Sequence, residues 1–216
     1  MSVTQTPAPA RSDLAASTTG STTGASTTGP DRPFVKHGTL LTAGALSWAA
    51  AIAVFGADPA HETLPLVLYG LGSGLFQLGA LALLRVLWRT RALGSGKVAR
   101  AVLRVEAVFL SLAIGSTVAD AVQVSDLTQP AWLALDAFWP LSMLGMFLIG
   151  IRIAVAGRWQ GLSRFWPMVA ESWAVVTVPS MVIFGAEGAR IVGSLHLVVG
   201  YAVLGQVVAR KGADGR

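Results

Sequence analysis

Cysteine is absent from the 216 residues, which excludes disulfides, thiolate nucleophiles, cysteine-ligated metals and thiol redox switches. Charge is scarce as well: 12% of residues are Asp, Glu, Lys or Arg, against about 25% in a soluble globular domain. No phosphate-cradling glycine loop, HExxH pair or serine elbow interrupts the chain. These absences argue against a soluble fold and leave nucleophilic or metal-assisted chemistry without its usual motifs. What is abundant is apolar: 53% of residues are hydrophobic, 24 are glycine, and the mean hydropathy is +0.62.

Residues 1–36 are set apart by composition, rich in Ser, Thr, Ala, Gly and Pro, with a near repeat at Ser17-Thr18-Thr19-Gly20, Ser21-Thr22-Thr23-Gly24 and Ser26-Thr27-Thr28-Gly29. With few large apolar side chains to offset ordering entropy, this tail is expected to be disordered, and it lacks the apolar core of a signal peptide. Beyond it, apolar runs cover Thr39 to Phe55, Leu64 to Leu87, Ala101 to Val124, Ala131 to Ala156, Phe165 to Phe184 and Ile191 to Ala209. Each reaches or approaches the roughly 20 residues a helix needs to cross a bilayer, and none alternates as a barrel strand would. The expected architecture is all-α: a transmembrane bundle of six helices spanning residues 37–210, with a short polar tail at 211–216. The connections are too short for a soluble lobe.

Basic residues set the expected orientation. Fifteen of the sixteen flank the first tail, the second and fourth connections and the C-terminus; Arg190 alone falls on the other side, with Asp58, Glu62, Asp126 and Glu187. Both termini are therefore expected in the cytoplasm, with the protein in the plasma membrane. The basic residues then serve insertion and anionic lipid headgroups at the cytoplasmic face, and nucleic acid is not an expected partner. A homo-oligomer or a membrane partner is left open. Trp88, Trp132, Trp159 and Trp166 stand near span ends, where interfacial anchors are usual.

Ionisable groups at bilayer depth cost about 2.5–3.5 kcal/mol each on insertion scales and need a partner, a cavity or a function. The candidates are Glu106, Asp120, Asp136, Arg152, Glu171 and His196. At 100° per residue, Glu106, Ala113, Thr117 and Asp120 form one stripe on the third helix. Such a stripe either lines a path for a proton or small ligand or serves as interhelical hydrogen-bonding glue. Gln77 belongs to a contact face that continues from Gly70-Leu71-Gly72-Ser73-Gly74. Pro140 frees the Asp136 carbonyl beside its own carboxyl, and Pro179 similarly frees the Val175 carbonyl; each marks an expected kink. Depth along the helices permits Asp120, Asp136 and His196 to meet, as a proton or metal site or as a structural pair. Glu171 and Arg152 lie at matching depths for an ion pair, although rotation favours Arg152 reaching the headgroups. A haem would need His196 with His61 or His37.

The stretch Asp136-Ala-Phe-Trp-Pro-Leu-Ser-Met-Leu-Gly-Met-Phe147, then Ala156-Gly-Arg-Trp159, Trp166-Pro167 and Ala170-Glu-Ser-Trp-Ala-Val-Val-Thr-Val-Pro179 resembles a group of actinobacterial integral membrane proteins with no assigned activity. The resemblance runs from the first span to the last and implies six helices in the plasma membrane. The leading functional expectation is a non-enzymatic membrane protein that binds or passes a small ligand or proton through Glu106, Thr117, Asp120, Asp136, Glu171 and His196, with no cofactor. The alternative is a membrane-embedded enzyme or a redox or metal-binding subunit using Asp120, Asp136 and His196.

Overall fold

The computed structural model describes residues 32–57 and 63–212. Most of the expected disordered tail, the first outer connection with His61, and the last four residues lie outside the described residues. Helices joined by short turns make up the described residues: α1 (Val35–Phe55), α2 (Thr63–Arg89), α3 (Lys97–Ala121), α4 (Pro130–Asp136), α5 (Phe138–Ala156), α6 (Leu162–Glu171), α7 (Trp173–His196), a π-helical segment (Leu197–Ala202) and α8 (Val203–Ala209). Five continuous stretches are long and apolar enough to cross a membrane: α1, α2, α3, α4 with α5, and Trp173–Ala209.

The last of these stretches, 37 residues long, is not one rod. Gly185 has φ 70° and ψ −168°, a left-handed backbone that breaks the helix and that glycine adopts without a side-chain penalty. A straight helix would separate Trp173 from Gly193 by about 30 Å. Instead, the Trp173 indole Nε1–H donates to the Gly193 carbonyl at 2.9 Å. Trp166 likewise donates to the Gly200 carbonyl at 3.0 Å. The two arms of α7 therefore run antiparallel about Gly185. The first arm continues α6 through a break at Ser172, and the second continues into α8, so the expected fifth and sixth helices are both present.

The six helices close into a ring. α1 packs on α2 and on the π segment with α8, α2 on α3, α3 on α4 and α5, α5 on α6, and α6 on the π segment and α8. A Cβ built on Gly38 would meet Gly205 and Ala209, which places the two described termini at the same end of the bundle. Large apolar side chains such as Val182, Ile183 and Phe184 face outward, as they do when lipid is the solvent. Small residues permit close helix approach, as at Gly150 against Met168 and Gly200 against Ala170.

The centre of the ring is aromatic. Trp48 of α1 stacks at a tilt on Phe76 and Trp173, with centroids 4.9 and 5.1 Å apart, and meets Trp139 edge-on at 5.8 Å. Phe76 in turn meets Tyr201 edge-on at 4.7 Å. Two of the expected interfacial anchors also belong to the interior packing. Trp159 is fully buried and donates to Thr90 Oγ1, while Trp166 serves the α6 contact already described. Their indole N–H groups donate to protein acceptors, Thr90 Oγ1 and the Gly200 carbonyl.

The expected kink near Pro140 is present as a helix break at Ala137, between α4 and α5. Pro179 sits inside the first arm of α7 without breaking it, and the Ser180 hydroxyl donates to the Val176 carbonyl at 2.7 Å. The break on that helix lies instead at Gly185.

Candidate functional site

At the end of the bundle opposite the termini, α1, α2, α3 and α5 enclose a cavity of about 750 Å³. Asp120 and Asp136 line it together with Thr117, Ser73 and three aromatic side chains, Trp48, Tyr69 and Trp139. The local fold accounts for each position. The third-helix stripe turns inward, so Glu106 and Ala113 are buried, and Thr117 Oγ1 accepts a 2.8 Å hydrogen bond from Gln77 Nε2. One turn further, Asp120 emerges into the cavity. The break at Ala137 brings Asp136 alongside α3, where its Oδ1 accepts from Ser116 Oγ at 3.4 Å. Tyr69 donates to the Ala57 carbonyl and so ties the end of α1 to α2.

Asp126, in the α3–α4 connection, adds a third carboxylate to the rim. The Thr128 hydroxyl donates to it at 2.6 Å, with further donation from Gln129 Nε2 and the Thr128 amide. These bonds, the Thr128 hydroxyl foremost, hold its carboxyl below the usual carboxylate range. By contrast, the Asp120 carboxylate accepts no hydrogen bond from the described residues. The one ion pair among the described residues joins Arg190 to Glu187, one turn apart at 2.8 Å. Among the described residues, no cation pairs with the acidic groups of the cavity.

Deeper in the ring lie Glu106 and Glu171, both buried. Glu171 Oε2 accepts a 2.5 Å hydrogen bond from the Tyr201 hydroxyl. Glu106 extends toward α5, where its carboxylate occupies the space a Cβ on Gly145 would need. A second, small cavity of about 30 Å³ lies between the aromatic centre and this level, lined by Trp48, Phe76, Gln77, Leu110, Trp139, Ser142, Met143 and Tyr201. Trp48 and Trp139 line both cavities and so form the partition between them.

No protein family, curated protein or solved structure matches the chain. The site must be interpreted from its own geometry.

That geometry divides the sequence-derived candidates into two groups and leaves one apart. Asp120, Asp136 and Thr117 converge on the larger cavity. Glu106 and Glu171 belong to the buried level beneath. His196 joins neither: its Nε2 faces the Val169 and Ala170 carbonyls at 2.9 and 3.2 Å, so that nitrogen carries the proton and links the second arm of α7 to α6. The expected meeting of His196 with the two aspartates does not occur, because the fold at Gly185 sets His196 against α6 rather than α3. Among the described residues, no three His, Asp or Glu side chains are grouped as a metal site would need. The Glu171–Arg152 ion pair does not form either. Glu171 takes Tyr201 as its partner, and Arg152 is exposed, as its rotation about α5 suggested.

Four side chains of the site are not singled out by the sequence: Trp48, Tyr69 and Tyr201 lie within apolar runs, and Ser142 is an isolated small residue. For two of them a signal was available. Trp48 stands in mid-span, where an anchor is not expected, and Tyr201 is one of only two tyrosines; a phenol at bilayer depth requires a hydrogen-bond partner.

Proposed function

We propose that the chain is a six-helix plasma-membrane protein with both termini in the cytoplasm, and that its outward-facing cavity binds a small organic cation. The observation that carries the ligand assignment is the pair of carboxylates, Asp120 and Asp136, facing a space of about 750 Å³ walled by indole and phenol rings, with no cation paired to them among the described residues. Carboxylates supply charge attraction, and aromatic faces attract the same sign of charge through their quadrupoles, at about 0.5–2 kcal/mol per ring. An anionic ligand would be repelled on both counts. The orientation rests on the basic side chains gathered at the terminal end: Arg89, Arg91, Lys97, Arg100, Arg158 and Arg210. Binding from outside and passage across the membrane share this site, and the resemblance to actinobacterial membrane proteins is consistent with either.

Two measurements test this reading. A fluorescent-protein fusion at either terminus is expected to be bright and an alkaline phosphatase fusion there inactive; the reverse pattern would place the cavity indoors. For the ligand, benzylammonium, benzyl alcohol and benzoate offer nearly the same shape with three charges. Benzylammonium is expected to change the tryptophan fluorescence saturably, since Trp48 and Trp139 line the cavity, while benzoate has no effect. Replacing both Asp120→Asn and Asp136→Asn is expected to weaken benzylammonium binding at least about tenfold, or 1.4 kcal/mol. Equal binding of benzoate, or no loss in the double variant, would overturn the assignment. The enzyme alternative needs His196 beside the two aspartates, and the geometry gives it no support.

A further inference from the structure

The buried level beneath the cation cavity has its own chemistry. We propose that Glu171, with Tyr201 and Glu106, forms a proton-holding site in the middle of the bundle, reached from the outer cavity through an internal water site bounded by Trp48, Gln77, Trp139, Ser142 and Tyr201. This goes beyond the cation-binding reading and does not depend on it.

Continuity of polar groups is the first support. Thr117 lines the outer cavity and accepts the hydrogen bond from Gln77; Gln77 lines the small cavity; Tyr201 lines the small cavity and donates to Glu171 at 2.5 Å. Phe76, Leu110 and Met143 complete the wall of the small cavity, so its polar groups lie along one side of an otherwise apolar lining. Elsewhere in the cross-section Trp48 and Trp139 close the way, so the route admits nothing much larger than water.

The second support is the set of polar atoms left over. Gln77 Oε1 and Trp48 Nε1, both on the wall of the small cavity, are buried and have no hydrogen-bond partner among the described residues, and neither do Glu106 Oε1 and Glu171 Oε1. A buried polar atom without a partner costs about 1–3 kcal/mol, so the donor of Trp48 and the acceptor of Gln77, both on residues that line the small cavity, point to an occupant that both accepts and donates. A volume of about 30 Å³ suits one water molecule, which requires two to four polar neighbours. Trp48 supplies a donor and Gln77 an acceptor, while Tyr201 and Ser142 supply hydroxyls.

The third support is the absence of a permanent countercharge. The titratable groups on the elements around α6 are accounted for elsewhere: Arg152 of α5 is exposed, Arg164 donates to the Ala154 carbonyl, Glu187 and Arg190 pair with each other, His196 faces backbone carbonyls, and Lys211 lies over Trp159 and bonds Ser163. Among the described residues, no cation is paired with Glu171, whose side-chain partner is the Tyr201 hydroxyl. A buried carboxylate without a cation is relieved by taking up a proton. The step balances simply. A hydronium ion in the small cavity gives a proton to the Tyr201 oxygen as the Tyr201 hydroxyl passes its own to Glu171 Oε2. This leaves neutral water, neutral tyrosine and a carboxylic acid. The π-helical segment that carries Tyr201 widens the helix at this level, a distortion frequent at functional positions.

Infrared difference spectra of the full chain in liposomes, recorded across a pH step in H₂O and in D₂O, test the proposal. The pH step is expected to produce a carboxylic C=O band that disappears in Glu171→Gln and moves to higher frequency in Tyr201→Phe, where the phenol donor is lost. Gln77→Leu, similar in volume but without the amide, is expected to slow deuterium exchange at that carboxyl at least about tenfold. Monodisperse elution of each variant establishes folding; should Glu171→Gln fail to fold, the band shift in Tyr201→Phe and the exchange rate in Gln77→Leu decide the matter. A pH step without a carboxylic band, a band retained in Glu171→Gln, or exchange unaffected by Gln77→Leu would overturn the proposal. Asp120→Asn with Asp136→Asn is expected to weaken benzylammonium binding at least about tenfold yet leave the Glu171 band in place, so the two readings fail separately.

Discussion

Trp48→Ala is expected to destabilise the bundle by about 3–5 kcal/mol, the usual cost of truncating a buried aromatic side chain in a well-packed core. Trp48 is 1% exposed and is in ring contact with Phe76, Trp139, Trp173 and Tyr69. It is thus shared by helices that are distant in sequence, so truncation loosens several contacts at once. The cost adds to a functional change, because the indole is half of the partition between the two cavities. Its loss is expected to join the outer cavity to the Tyr201 level and to speed deuterium exchange at Glu171, the opposite of what Gln77→Leu does. Trp48→Phe keeps a ring at the centre and is expected to cost less than half as much. Thermal unfolding in detergent gives the first quantity and the infrared exchange rate the second. A Trp48→Ala protein as stable as the parent would mean that the aromatic centre does not hold the ring together.

The stability and exchange effects coincide at Trp48 because this bundle builds its core and its candidate site from the same side chains. That coincidence also explains what could be read from the sequence. The helices were legible from uninterrupted apolar length, and the inward stripe on α3 from the 100° step, since both are properties of a single helix. Gln77 was legible as a contact for the same reason, lying one turn beyond Ser73 on a glycine-lined face. Partners across the ring were not. Whether His196 faces Asp120 or the carbonyls of α6 depends on how the chain folds at Gly185, and one left-handed glycine has no periodic signature. The break at Ser172 and the π segment after His196 are similarly invisible to a fixed 100° step, yet together they bring Tyr201 to Glu171 instead of Arg152. Matching depth alone therefore does not identify the partner of Glu171, whereas rotation about the helix does direct Arg152 outward. Asp120 and Asp136 were placed correctly at a shared level because both are near helix ends, where depth and neighbourhood nearly coincide.

Gly44→Ala is expected to be severely destabilising although it adds a single methyl group. A Cβ at this position would lie 2.6 Å from the Leu75 carbonyl oxygen and from Phe76 Cα, both backbone atoms of α2 that no rotamer change can move. α1 must therefore be displaced as a body. The same crossing is tight at Gly79, where a Cβ would lie 2.7 Å from Leu41 Cα, so the helix cannot pivot about that point to recover the loss. Overpacking of this kind costs about 1–3 kcal/mol and sometimes more, outweighing the roughly 0.5–1 kcal/mol gained by replacing glycine with alanine inside a helix. Gly74→Ala, on the same α2 helix but with nothing within 4 Å of its would-be Cβ, keeps the gain without the clash and is expected to be neutral or slightly stabilising. The contrast between the two variants, read from thermal unfolding in detergent, separates helix propensity from helix approach. It also bears on the site: α1 carries Trp48 four residues beyond Gly44, so pushing α1 off α2 displaces one wall of the cation cavity. Gly44→Ala is expected to weaken benzylammonium binding even though Gly44 does not line the cavity. Unchanged stability and binding in Gly44→Ala would show that α1 and α2 are not held at the close approach on which the partition depends.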